Sequence, residues 1–151
     1  MSAILAPFDG AILALSQFDD PVFKDELVGS GIGLRPSTEI ERLAVHSPIT
    51  GTVIKIMPHA FIVLHGDRGV LVHIGIDTVS LHGEGFTRHI EEGQEIEAGQ
   101  LCFEVDATIV RSHGLALDTP IVVMDSPKGA YASTRNGEVV HQGDVLFELG
   151  E

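Results

Sequence analysis

One thirteen-residue pattern occurs twice in this chain and constrains its fold more than any other feature. Gly93-x-x-Ile96-x-x-Gly99-x-Leu101-x-Phe103-Glu104-Val105 returns as Gly137-x-x-Val140-x-x-Gly143-x-Val145-x-Phe147-Glu148-Leu149, displaced by 44 positions throughout. A shorter echo relates Ala6-Pro7-x-x-Gly10-Ala11-Ile12 to Ser47-Pro48-x-x-Gly51-Thr52-Val53. Each unit couples turn glycines to an alternating apolar run, so the chain is expected to carry a duplicated turn–strand unit related by a pseudo-twofold. Shared hairpin chemistry could produce the shorter echo, but hardly the longer one.

The rest of the chain extends the same pattern. Its 17 glycines and 7 prolines cut it into short runs of Val, Ile, Leu and Phe. These runs are Ala11–Leu15, Gly51–Met57, Phe61–His65, Val70–Ile74, Leu101–Val105, Pro120–Met124, Val139–Val140 and Val145–Leu149. Short apolar runs bounded by turn residues predict an all-β fold, an antiparallel sandwich or barrel with at most short helices. Helical spacing is confined to Ala107–Ala116, through Ile109, Val110 and Leu115. A length of 151 residues fits a single domain, 1–151, with its own core.

Composition excludes whole classes of function. A formal net charge of −13, from 22 acidic and 9 basic residues, is the wrong sign for binding nucleic acid or an anionic membrane. It suits a basic protein partner, or simply solubility. No apolar stretch approaches the ~20 residues of a membrane span. The opening MSAILAPFDG has neither a basic n-region nor a long apolar h-region, so no secretory leader is expected. The lone Cys102, within Leu101-Cys102-Phe103, reads as a small buried apolar residue. A cytoplasmic location follows as the expectation.

Two histidines stand out within this pattern. His73 lies in Leu71-Val72-His73-Ile74-Gly75-Ile76-Asp77-Thr78-Val79, and His59 in Pro58-His59-Ala60-Phe61-Ile62-Val63. Strand alternation puts Leu71, His73 and Gly75 on one face, with Val72 and Ile74 on the other. A hairpin through His65-Gly66-Asp67-Arg68-Gly69 could lay the two runs side by side and bring the imidazoles within reach of each other; the alternative is that His59 and His73 are unrelated and each is hydrogen-bonded locally. Paired imidazoles in apolar surroundings suit either a metal or phosphohistidine chemistry. A neutral imidazole is a competent nucleophile once its other nitrogen is held, and the Gly75 backbone is near enough to hold it. His59 would then donate to the moving phosphoryl group. Val72, Ile74, Ile76 and Val79 would exclude water. His46, His65, His82, His89, His113 and His141 are scattered near turns and expected to be exposed.

The segment from His73 to Phe86, HIGIDTVSLHGEGF, resembles the active-site region of the glucose-family IIA proteins of the bacterial phosphoenolpyruvate:sugar phosphotransferase system. His59-Ala60-Phe61 resembles that family's other histidine motif. Pro21-Val22-Phe23 with Val28–Gly33 resembles the stretch ahead of its first β-rich core, and Thr119–Val123 a late strand. The resemblance implies a phosphotransferase component in which His73 accepts phosphate from the carrier protein HPr. It then passes the phosphate to a cysteine on the IIB domain of a glucose-type or N-acetylglucosamine-type permease. His59 assists, with Gly75 and Asp77 beside the site. The resemblance also implies a docking face of Asp20, Val22, Phe23, Leu27, Val28, Leu71 and Val79, although Val22, Phe23 and Val28 alone would read as core. No cofactor is implied, and opportunistic zinc at His59 and His73 is compatible with imidazole chemistry. One departure stands out: Met57 replaces the family's threonine two residues before His59, removing a hydroxyl contact to that ring.

Three other classes can be weighed. His73-x-x-x-Asp77 has the spacing of one zinc motif of lysostaphin-like endopeptidases, whose fold is related, but their His-x-His element is missing here. The glycine-spaced repeat resembles lipoyl and biotinyl carrier domains. These need a lysine at a hairpin tip, and neither Lys24, Lys55 nor Lys128 lies between the halves of a repeat unit. A regulatory binding module without phosphotransfer is the third, and retention of both histidines argues against it.

Overall fold

The computed structural model describes residues 2–150. Its strands are β1 (Ser2–Leu5), β2 (Gly10–Ala14), β3 (Gly29–Arg35), β4 (Arg42–His46), β5 (Gly51–Met57), β6 (Ala60–His65) and β7 (Arg68–His73). They continue as β8 (Phe86–Arg88), β9 (Glu95–Ile96), β10 (Leu101–Asp106), β11 (Thr119–Met124), β12 (Val139–Val140) and β13 (Val145–Leu149). The two α-helices are short, α1 (Pro21–Lys24) and α2 (Ala107–Ser112). An eight-stranded antiparallel sheet in the order β12-β2-β3-β11-β7-β6-β5-β9 is joined by the three-stranded β4-β10-β8 and the two-stranded β1-β13. The chain is therefore all-β, as its punctuation predicts.

The duplication is visible in the hydrogen bonds. Gly143 N donates to Ala6 O and Gly137 N to Ile12 O, just as Gly99 N donates to Ser47 O and Gly93 N to Val53 O. Ile4 faces Phe147 in the β1–β13 pair, and Val45 faces Phe103 in β10–β4. Leu5 N donates to Pro48 O while His46 N donates to Pro7 O, so the two units exchange equivalent bonds across the pseudo-twofold. The turn glycines have the left-handed backbone such tight reversals need, at φ +88° for Gly99 and +91° for Gly143.

The eight-stranded sheet is apolar on both faces. Phe61 and Val63 of β6, Val70 and Val72 of β7, and Ile121 and Val123 of β11 enter the main core, where Phe61 stacks on Phe103 with centroids 5.6 Å apart. Ala60, Ile62, Leu71 and Val122 point the other way, into a smaller core closed by Leu13, Leu15, Phe18 and Phe23. This alternation places His73, which follows Val72, on the smaller-core face.

Three expectations are corrected here. Gly29–Arg35 does not precede the β core. It is β3, paired with both β2 and β11 near the middle of the sheet. Glycines hid it from an apolar-run reading: Cβ atoms at Gly29 and Gly31 would lie 2.1 and 2.0 Å from carbonyl oxygens of β11. The helix begins at Ala107 as expected, with Asp106 capping Thr108 N and Ile109 N, but stops at Ser112 because Gly114 turns the chain at φ +75°. Of the six scattered histidines, His46 and His65 are half-buried, bonded through Nδ1 to the carbonyls of Pro7 and Thr50.

Candidate functional site

The β6–β7 hairpin closes through Gly66-Asp67 with His65 facing Arg68, and its register carries Ala60 opposite His73. His59 occupies the turn between β5 and β6, where Ile74 N donates to its carbonyl at 2.8 Å. The two imidazoles therefore meet edge to face, with centroids 4.8 Å apart and planes at 76°. Phe23, held in α1 by the Asp20 cap on Val22 N, leans on His73 from another side at 5.0 Å.

His73 Nδ1 lies 2.7 Å from the carbonyl oxygen of Gly75. A carbonyl can only accept, so Nδ1 carries the proton and Nε2 keeps its lone pair. The backbone makes this contact by leaving the strand directly after His73. Gly75 does not continue the face of Leu71 and His73, as strand alternation had suggested. It turns at φ +81°, and a Cβ there would stand 2.6 Å from Thr78 Cγ2 and 2.8 Å from Ala116 O. No side chain fits at this position.

His59 is only 6% exposed, and its Nδ1 is buried without a hydrogen-bond partner among the described residues. Burial lowers the His59 pKa below the ordinary 6.5, with the neighbouring His73 adding to the effect. Burial also lowers the pKa of His73, against opposing contributions from the Gly75 hydrogen bond, Asp20 and Asp77. Both rings are thus held neutral near pH 7. Placing the His59 proton on Nδ1 would bury an N–H without an acceptor, so the Nε2–H tautomer is favoured.

The sequence-predicted residues separate by burial. Val22 (43%), Leu27 (67%) and Val79 (60%) are exposed, with Asp77 exposed and Asp20 and Val28 half-exposed. Phe23 (4%) and Leu71 (5%) are not on an open face. They pack in the smaller core beneath His73, because α1 folds Phe23 inward and β7 alternation turns Leu71 toward it. The water-excluding wall is also different from the one expected. Val72 and Ile74 lie in the main core on the far side of the sheet, and Val79 is exposed. Phe23, Leu71 and Ala60, with Ile76, Val28 and Met57 packed against them, form that wall instead. The Asp77 carboxylate bonds to neither imidazole among the described residues. Its backbone is left-handed at φ 60°, and its action on His73 is through charge.

Thr78 escaped the sequence reading of roles. It is fully buried and its hydroxyl donates to Ile74 O at 2.7 Å. The available signal was a hydroxyl residue four positions after Ile74, across a glycine turn. Cys102 is buried as expected, its thiol pushed up to about 12 by burial. Among the described residues no three His, Cys, Asp or Glu side chains are grouped to hold a metal. His59 and His73 offer two imidazoles, short of the four ligands of a structural zinc centre or the three of a catalytic one.

Comparison with known proteins shows the family and the fold. Residues 2–129 match the family described as phosphoenolpyruvate-dependent sugar phosphotransferase system, EIIA 1. The solved structure of glucose permease IIA from Mycoplasma capricolum superposes with a TM-score of 0.84 at 33% identity, covering 95% of this chain and 92% of that one. Helicobacter pylori Csd3, in its hexagonal crystal, gives a TM-score of 0.49 at 12% identity, over 92% of this chain and 35% of that one. The chain belongs to the EIIA 1 family of the phosphoenolpyruvate-dependent sugar phosphotransferase system.

Proposed function

We propose that this protein is a cytoplasmic phosphocarrier in which His73 Nε2 takes a phosphoryl group from phospho-HPr and delivers it to the cysteine of a permease IIB domain. The observation that carries this reading is the 2.7 Å bond from His73 Nδ1 to Gly75 O, which leaves Nε2 free beside His59. In the first step the Nε2 lone pair forms an N–P bond. The bond from phosphorus to the donor's histidine breaks, and its electron pair returns to the donor ring. Positive charge grows on the His73 ring, and the Gly75 carbonyl stabilises it through the Nδ1–H bond. In the second step a thiolate sulfur attacks phosphorus, an S–P bond forms, and the N–P electron pair returns to Nε2. Each step conserves atoms and charge without a redox partner, a metal or any other cofactor.

His59 supports chiefly the delivery step, as an Nε2–H donor to the phosphoryl oxygens, which carry the developing charge. The apolar wall of Phe23, Leu71 and Ala60 keeps water from the phosphohistidine. Exposed Val22, Leu27 and Val79, with Asp20 and Asp77 beside them, suit brief docking of basic partners centred on His73. We assign the sugar to the glucose or N-acetylglucosamine type from family membership.

Incubation with phosphoenolpyruvate, enzyme I and HPr tests the reading. One acid-labile phosphate per chain is expected, mapping to His73 and lost in His73→Gln. Full labelling of His73→Gln overturns the assignment.

A further inference from the structure

The two peptide planes that flank the Gly75 Cα are each tied down by a group outside the His73–Gly75 pair. The plane before it, Ile74 C=O to Gly75 N, is held by the Thr78 hydroxyl at 2.7 Å. The plane after it, Gly75 C=O to Ile76 N, is held by Ile76 N donating to Ala116 O at 3.2 Å. The second plane contains the carbonyl oxygen that fixes the His73 tautomer. Thr78 also packs against Gly75 itself, since its methyl carbon lies 2.6 Å from where a Cβ at Gly75 would stand. The hydroxyl and the methyl of one buried residue thus grip the turn at adjacent points. The Gly75 conformation, at φ +81°, would otherwise have much freedom, because glycine populates both signs of φ readily.

We propose that Thr78 is a positioning residue for phosphoryl transfer: through Ile74 O it orients the Gly75 carbonyl and so keeps His73 Nε2 as the free nitrogen. This rests on the reading of His73 as the phosphoryl acceptor. Among the described residues the Thr78 hydroxyl bonds to Ile74 O and not to the imidazole, so it acts through the turn. Its hydroxyl has one local role, because a fully buried O–H needs an acceptor and Ile74 O provides it. Without that bond the plane before the Gly75 Cα is released. The Gly75 carbonyl is then held only from its far side, by the 3.2 Å bond from Ile76 N to Ala116 O, and rotation about the glycine can swing it off Nδ1. The proton then redistributes between the two ring nitrogens, and the fraction of His73 with a free Nε2 falls.

The test compares Thr78→Val, which keeps the shape and loses the hydroxyl, with Thr78→Ser, which keeps the hydroxyl and loses the methyl. Long-range ¹⁵N–¹H spectra of the unphosphorylated protein read the His73 tautomer directly. Single-turnover transfer from phospho-HPr reads the consequence. Thr78→Ser is expected to hold the Nδ1–H tautomer. Thr78→Val is expected to show a mixed tautomer and a maximal transfer rate lowered by roughly tenfold to a hundredfold, with half-saturation by phospho-HPr unchanged. Equal tautomer populations in the serine and valine variants overturn the proposal, as does an unchanged maximal rate in Thr78→Val. Should Thr78→Val not fold, Thr78→Cys, a weaker donor of similar size, replaces it, and tautomers equal to those of Thr78→Ser overturn the proposal in the same way. The tautomer measurement needs no phosphate donor. A wild type that is not phosphorylated at His73 would sink the phosphocarrier reading without touching the link from Thr78 to the His73 ring.

Discussion

His59 and His73 lie edge to face at 4.8 Å but are secured differently: His73 Nδ1 is bonded to Gly75 O, whereas His59 Nδ1 is buried with no partner among the described residues. The ring proposed as the nucleophile is fixed by a bond to backbone. The ring proposed as the donor has no such bond at Nδ1 among the described residues. On the proposed function this asymmetry gives the two rings separable tasks.

His59→Gln should therefore still accept phosphate from HPr and fail chiefly in passing it on. Loss of a preorganised donor to developing charge costs about 10²–10³ in rate. The measurement is the rate of IIB-dependent loss of phosphate from pre-labelled protein. A transfer rate equal to that of wild type would make His59 a bystander.

Gly75→Ala should damage both the fold and the site. A Cβ there meets Thr78 Cγ2 and Ala116 O well inside contact distance, and φ +81° is strained for any L side chain. Backbone strain of this kind costs about 1–3 kcal/mol. Urea denaturation should show a loss of at least that size, and the surviving folded protein should no longer hold His73 in the Nδ1–H tautomer.

The fold was legible wherever glycine punctuation and apolar alternation coincide, as in β5, β10 and β13. It was illegible in β3, where glycines take the place of apolar residues because β11 packs too closely for side chains. At the site, hairpin register put the His59–His73 pair within reach, and the resemblance of the surrounding motifs decided in its favour. Phe23 did not, because its burial depends on the single turn of α1 folding over the sheet, a tertiary event with no periodicity of its own. The role of Thr78 lies in a hydrogen bond to backbone, which residue types alone do not specify.

The lowered pKa values set a pH dependence with a definite sign. Folded His59 and His73 resist protonation below 6.5, whereas the unfolded chain's imidazoles bind protons from that pH downward. The unfolded state then holds more protons, so stability rises with pH through that window. Stability owed to these groups is fully present above 6.5 and falls as pH drops below it, until the folded rings protonate too. Urea midpoints should decline from about pH 6.5 downward, and less steeply in a His59→Gln/His73→Gln double variant. An unchanged slope in the double variant would mean that other groups govern the decline. Phosphoryl acceptance should likewise persist below pH 6.5, because the His73 lone pair stays available there.

The docking face should separate into anchors and steering charges, with Phe23 belonging to neither. Phe23 is 4% exposed and touches His73, so Phe23→Ala opens a cavity and should destabilise the domain by about 3–5 kcal/mol. Its effect on HPr binding would be indirect. Leu27 and Val79, at 67% and 60% exposure, can be altered without disturbing the core. Leu27→Ser and Val79→Ser should leave the thermal midpoint nearly unchanged and weaken HPr binding at every salt concentration, by about 1–2 kcal/mol if either is an anchor. Asp20→Asn retains an oxygen able to cap Val22 N, so it removes charge while keeping α1. It should slow association mainly at low ionic strength, where opposite charges steer encounter, and change dissociation little. Titration calorimetry and stopped-flow association at two salt concentrations distinguish the two kinds of residue. Wild-type affinity in the folded Leu27→Ser/Val79→Ser double variant would place the HPr footprint elsewhere on the protein.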